Sequence, residues 1–252
     1  MTAPSTGTNP WLRRYHAAGA DSVSLVCFPH AGGSAGYFHP FSAALAPEVG
    51  VVAVQYPGRQ DRYAEPPFED LGELAEAIHQ QLAALSGPLA FFGHSMGASV
   101  AFEVARLREL GGTGAPLMLF ASGRRAPGTR RPGPVGPLDD AAVLAQMKGL
   151  GGAHTGLLEN PELAELVLPA ARSDYRAVAG YTCPPGTVIH SPITVLTGAD
   201  DPLTTADEAD AWRHHTTGPC TVHTFPGGHF FLEPESGAVL ATVSGILARL
   251  GT

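Results

Sequence analysis

Short apolar runs of strand character alternate along the chain with longer stretches whose apolar residues recur at helical spacing. Ser22-Val23-Ser24-Leu25-Val26-Cys27-Phe28 reads as the first core strand and ends in the glycine-rich loop Pro29-His30-Ala31-Gly32-Gly33-Ser34-Ala35-Gly36. Val51 to Tyr56 is the next strand, closed by Pro57-Gly58-Arg59. A helix follows from Leu71 to Leu85, with Asp70 as N-cap and Leu74, Ala77, Ile78 and Leu82 on one apolar stripe. The strand from Leu89 stops at Gly93, and a helical pattern begins at Ala98 and ends at Gly111-Gly112. Leu117 to Ala121, Ile193 to Thr197 and Cys220 to Phe225 complete the strands, and a last helix runs from about Glu235 to Leu250. Strands alternating with helices predict a parallel α/β sheet flanked by helices, with ligands at the carboxyl ends of the strands.

Between Arg124 and Val188 this rhythm breaks. Two helices are expected there: Asp140 to Leu150, capped by Asp139, and a second from Pro161, capped by Asn160 and kinked or restarted at Pro169. The segment carries more apolar residues than a small surface helix needs, among them Val143, Met147, Leu158, Leu163, Leu166 and Val167. It reads as a helical lid, 124–188, inserted into one domain, 1–252, whose core spans about 20–123 and 189–252. Part of its apolar face is expected to line a pocket for an acyl chain.

The chemistry centres on Gly93-His94-Ser95-Met96-Gly97, which places Ser95 on a strand-to-helix turn. Such a turn is too tight for β-carbons two residues either side of the serine, and glycines occupy both places. This is the nucleophile elbow of an α/β-hydrolase fold: it exposes the hydroxyl and aims the Met96 N–H at an incoming carbonyl oxygen. The second oxyanion donor is assigned to the Ala31 N–H, in the loop after the first strand, with His30 bracing that loop. A serine needs an imidazole base and the imidazole needs a carboxylate, which in this fold follow in the order Ser, Asp, His. His229 follows the last strand through Gly227-Gly228 and precedes the final helix. Asp201 is preferred to Asp200 because it stands third after Gly198 and is followed by the rigid Pro202.

Composition narrows the function further. A formal net charge of −8 over 252 residues argues against nucleic acid, despite the local group Arg124, Arg125, Arg130 and Arg131. Cys27, Cys183 and Cys220 have neither paired nor metal-ligand spacing, and His214, His215, Cys220 and His223 do not share a face, so no metal site is expected. The Gly32-Gly33 loop lacks the lysine and the glycine spacing of a nucleotide-binding turn. Met1 to Pro10 has no apolar run, which predicts neither signal peptide nor membrane span and a cytoplasmic location.

Six motifs in order resemble the type II thioesterases, the separate editing proteins of polyketide synthases and nonribosomal peptide synthetases. They are Pro29-His30-Ala31-Gly32-Gly33, Tyr56-Pro57-Gly58-Arg59, the elbow, Arg172-Ser173-Asp174-Tyr175, Gly198-Ala199-Asp200-Asp201-Pro202 and Gly227-Gly228-His229-Phe230-Phe231. The resemblance implies removal of small acyl groups from the phosphopantetheine thiol of an acyl or peptidyl carrier protein. It implies no resident cofactor, since the pantetheine arrives with the substrate. Because such carriers tend to be acidic, it also suggests docking roles for the arginine group and Arg59. A carboxylesterase or acyltransferase with the same triad, and an inactive hydrolase fold that binds acyl carriers, are the alternatives.

Overall fold

The computed structural model describes residues 9–129, 139–152 and 155–250, the side chains of Thr155 and Leu157 excepted. Arg130, Arg131 and most of the N-terminal stretch considered above therefore lie outside the described residues. The chain forms β1 (Leu12–Arg13), β2 (Val23–Phe28), α1 (His39–Leu45), β3 (Val49–Val54), α2 (Leu71–Gln81), β4 (Leu89–His94), α3 (Met96–Leu110) and β5 (Leu119–Ser122). It continues through α4 (Asp140–Leu150), α5 (Thr155–Glu159), α6 (Pro161–Gly180), β6 (Ile193–Gly198), α7 (Ala206–Asp210), β7 (Cys220–Phe225) and α8 (Ser236–Leu250).

The seven strands form one sheet in the order β1-β3-β2-β4-β5-β6-β7. All neighbours are parallel except β1, which pairs antiparallel with β3 through Leu12 and Val54. Every residue of β2, β3, β4, β5 and β6 is buried, the signature of strands covered on both faces. At the two edges β1 is half-buried and β7 is open to solvent along most of its length, with Val222 exposed. One face packs Val26 and Phe91 against Leu74 of α2 and Val100 of α3. The other packs Phe92 and Phe120 against Phe41 of α1 and Val243 of α8. Each such fully buried large side chain contributes about 1.5–3 kcal/mol.

Local chemistry accounts for the helix ends. Asp70 accepts the Glu73 N–H at 2.9 Å, Asp139 that of Ala142 at 2.8 Å and Asn160 that of Glu162 at 3.0 Å, as their positions before helical runs predict. Pro169 does not restart the second inserted helix: α6 runs from Pro161 to Gly180 with the proline inside it. The sheet also begins before residue 20, because Trp11 and Leu12 pack against the main core. At the other junction Val178 and Tyr181 join that core too, whereas α4, α5 and α6 enclose a small cluster of their own around Val143, Met147 and Leu158.

The β4–α3 turn depends on backbone contact. A β-carbon on Gly93 would lie 2.2 Å from the Gly97 carbonyl oxygen, and one on Gly97 would lie 2.0 Å from that of Phe28. Gly97 thus answers to the end of β2 rather than to Gly93 directly. Gly97→Ala is expected to cost at least about 3 kcal/mol, since the clash is with backbone that no rotamer relieves; urea unfolding measures it.

His215, in the turn after α7, is buried and uses both ring nitrogens. Its Nδ1–H donates to the Thr187 carbonyl at 2.9 Å, and its Nε2 accepts the Gly128 N–H at 3.3 Å. Burial lowers its pKa; the Thr187 hydrogen bond opposes this and nearby His214 adds to it. The unfolded histidine takes up a proton near pH 6.5 while the folded one resists until lower pH, so stability is full above that value and falls below it. The urea midpoint is expected to drop between pH 7.5 and pH 5.5, and to drop less in His215→Gln.

Candidate active site

Ser95 lies between the last residue of β4 and the first of α3, at φ 55° and ψ −119°. That conformation is strained for a residue with a side chain. It is fixed from both sides: the Ser95 N–H donates to the Ser122 carbonyl at 2.8 Å, and the Ser95 carbonyl accepts the Ala98 N–H at 3.0 Å. Met96 opens the helix immediately behind it, with its amide among the unsatisfied N–H groups of a helix N-terminus.

Two other strand ends bring the base and the acid. His229 Nε2 lies 2.9 Å from Ser95 Oγ, and His229 Nδ1 lies 2.9 Å from Asp201 Oδ2 and 3.1 Å from Oδ1. A carboxylate only accepts, so Nδ1 carries the proton toward Asp201 and Nε2 is left to accept from the serine hydroxyl. The Leu203 N–H donates to Asp201 Oδ1 at 2.8 Å and fixes the carboxylate in turn. His229 and Asp201 are both buried, which excludes water from their hydrogen bond. Asp200 is exposed instead, with its backbone N–H bound to the Gly227 carbonyl at 2.9 Å. Of the two aspartates, it is Asp201 that contacts the imidazole.

The fit around His229 is close. Its ring lies 5.1 Å from that of His94 and 5.2 Å from that of Phe230. A β-carbon on Gly123, which follows β5, would approach His94 Cε1 to 2.6 Å and His229 Cε1 to 3.5 Å. The Gly198 position likewise abuts the Gly228 carbonyl, 2.3 Å from where a β-carbon would stand. These glycines let the loops after β5, β6 and β7 meet.

Ala31 lines a cavity of about 20 Å³ together with Ser95, His229, Met147, Tyr175 and Phe230. His30 is buried edge-on against Tyr37 at 4.7 Å and Phe230 at 5.0 Å, so it supports this loop through ring contacts. A larger cavity, about 520 Å³, is bounded by the next loop residues, Gly32 to Ser34, and by Leu158, Leu163 and Val167 of the inserted segment. Leu163 and Leu166, two of the apolar residues singled out in the sequence, line it while remaining partly exposed.

Arg59 does not fit the docking role suggested by its motif. It is buried, its guanidinium bonded to both carboxylate oxygens of Asp174 on α6 at 2.7 and 2.9 Å. Arg124 is also half-buried: its Nε donates to Ser99 Oγ at 3.0 Å, and burial pushes its pKa down to about 10. Sequence reasoning saw Arg59 and Asp174 only as parts of two separate motifs and missed their pairing. Among the described residues no group of three or more His, Cys, Asp or Glu is placed to hold a metal, and no helix is long and apolar enough to cross a membrane.

Residues 23–247 match the model of the thioesterase domain family. A Streptomyces griseus protein described as a probable cadicidin biosynthesis thioesterase is 54% identical over 239 residues, covering 94% of this chain and 66% of its own length. The chain therefore spans just under two thirds of that relative. Thioesterase PikA5 of Streptomyces venezuelae is 47% identical over 89% of this chain and 81% of its own. The solved structure of BorB, a type II thioesterase from the borrelidin biosynthetic cluster, superposes with a TM-score of 0.87 at 45% identity, covering 98% of this chain and 100% of that one. With an elbow serine, a buried histidine–aspartate pair and a match across nearly the whole described sheet, the chain belongs to the thioesterase domain family and has the α/β-hydrolase fold.

Proposed function

We propose that this protein hydrolyses small acyl groups from the phosphopantetheine thiol of acyl or peptidyl carrier proteins, clearing misloaded or stalled units from polyketide or nonribosomal peptide synthases. The observation that carries the reading is the unbroken hydrogen-bonded line from Ser95 Oγ through His229 to Asp201. Relatives named as thioesterases of biosynthetic clusters support the choice of a thioester over other acyl substrates. The protein is assigned to the cytoplasm, with those carrier proteins as its partners.

In the proposed mechanism Ser95 Oγ attacks the thioester carbonyl while His229 Nε2 accepts its proton, and Asp201 stabilises the resulting imidazolium. The tetrahedral oxyanion is received by the N–H groups of Ala31 and Met96, each worth about a hundredfold to a thousandfold in rate. His229 returns the proton to the departing sulfur. Water then attacks the acyl-serine, His229 takes a proton from it, and the free acid leaves as Ser95 is regenerated. The route needs no metal or organic cofactor. The helices α4, α5 and α6 serve as the lid, and the 520 Å³ cavity bounded by Leu158, Leu163 and Val167 receives the acyl chain.

Mass spectrometry of a panel of acyl-loaded carrier proteins after incubation with the protein tests the reading. Free carrier thiol is expected to appear for short acyl groups, and turnover of the thioester should exceed that of the matched oxoester. A strong oxoester preference would replace the editing role with that of a carboxylesterase. Ser95→Ala should reduce hydrolysis by at least about a thousandfold, and Asp201→Asn by about a thousandfold to ten-thousandfold, with carrier binding retained. Undiminished hydrolysis by Ser95→Ala would remove that residue from the mechanism.

A further inference from the structure

The ion pair between Arg59 and Asp174 joins two motifs that the triad does not use. Arg59 follows β3, and Asp174 belongs to α6 of the inserted segment. Their guanidinium and carboxylate meet side by side, Nη1 to Oδ2 at 2.7 Å and Nη2 to Oδ1 at 2.9 Å, with side chains 7% and 2% exposed. Both then grip the loop that carries Ala31. Asp174 Oδ2 accepts the Gly32 N–H at 2.8 Å, and Arg59 Nη1 donates to the Gly33 carbonyl at 3.0 Å. Neighbours reinforce the same loop: Tyr56 donates its hydroxyl to the Pro29 carbonyl at 3.2 Å, and Gln55 accepts the Ala35 N–H at 3.0 Å.

A buried ion pair is a costly way to hold two elements together, because desolvation offsets much of the attraction and apolar side chains of similar size often do as well. Packing alone does not call for charges here. What apolar side chains could not supply is the pair of directional bonds to the backbone on the C-terminal side of Ala31. The Gly32 amide plane is held by Asp174, and that plane is one peptide from the Ala31 N–H. Gly32 itself sits at φ +74° against Met147 and Ala171 of the inserted segment, so the loop has little room to find the same orientation by another route.

We infer that Arg59 and Asp174 are positioning residues for acyl transfer: docking of α6, through this ion pair, aims the Ala31 N–H at the developing oxyanion. The inference rests on the serine mechanism above and adds a dependence of the oxyanion site on the lid helix. Substrate that fills the cavity beside α6 would then be read by the same helix that orients a catalytic amide.

The double variant Arg59→Met with Asp174→Leu removes both charges without stranding either in the core; Asp174→Asn, which keeps one acceptor for the Gly32 N–H but loses the paired bond to Arg59, serves if the double variant does not fold and is expected to show a smaller fall of the same kind. Two affinities are measured beside kcat and KM for an acyl-pantetheine thioester. One is for a trifluoromethyl ketone analogue, whose serine adduct places an oxyanion in the site. The other is for an alkyl-pantetheine thioether, which has no carbonyl. The expected result in a folded variant is a fall of about tenfold to a hundredfold in kcat, with ketone affinity falling in parallel while KM and thioether affinity change by less than about threefold. Unchanged kcat and ketone affinity would overturn the positioning role, as would equal losses in ketone and thioether binding. Ser95→Ala, assayed on the same thioester, separates the two levels: full activity there defeats the serine mechanism itself, whereas an inactive Ser95→Ala beside an unaffected double variant defeats only the ion-pair inference.

Discussion

Ser95 occupies a backbone conformation that side chains disfavour, and its surroundings leave it no alternative. The Gly93 and Gly97 positions touch carbonyls of α3 and β2, while the Ser95 amide is tied to β5. Three neighbouring elements therefore hold the hydroxyl at the carboxyl edge of the sheet. The remainder of the site follows from strand order. With β2 beside β4, the Ala31 loop lies next to the elbow, and with β6 beside β7 the acid and base loops lie next to each other. Strand order brings together residues more than a hundred positions apart, 2.9 Å from oxygen to nitrogen.

Much of this is legible in the chain because the relevant signals are local. Strands covered on both faces read as unbroken apolar runs, helix starts are written in Asp70, Asp139 and Asn160, and the elbow needs two glycines at fixed spacing. Order and context point to Ser95, Asp201 and His229, with Asp201 separated from Asp200 by its distance from Gly198. Geometry then supplies the reason: the first aspartate after the turn is exposed, and the second reaches the imidazole.

What the sequence conceals is pairing at a distance. β1 is two residues long and acquires its meaning only beside Val54, so no alternation announces it. The helices α1, α5 and α7 are five to seven residues each, too short for a periodic signal. Arg59 looks like a surface cation in a loop of Pro and Gly, and only the arrival of Asp174 from 115 positions away turns it inward. Pro169 misleads for a related reason: tertiary contacts along α6 override a residue that would end an isolated helix.

The close approach of Gly198 to Gly228 gives the site a division of labour. Because main chain presses on main chain there, the spacing of acid and base is set by atoms common to every residue type and is insulated from side-chain change elsewhere. Side chains of α5 and α6 that bound the larger cavity, such as Leu158 and Leu163, can change without loosening the link between imidazole and carboxylate. The shape of the cavity can thereby drift while the distance between acid and base stays put.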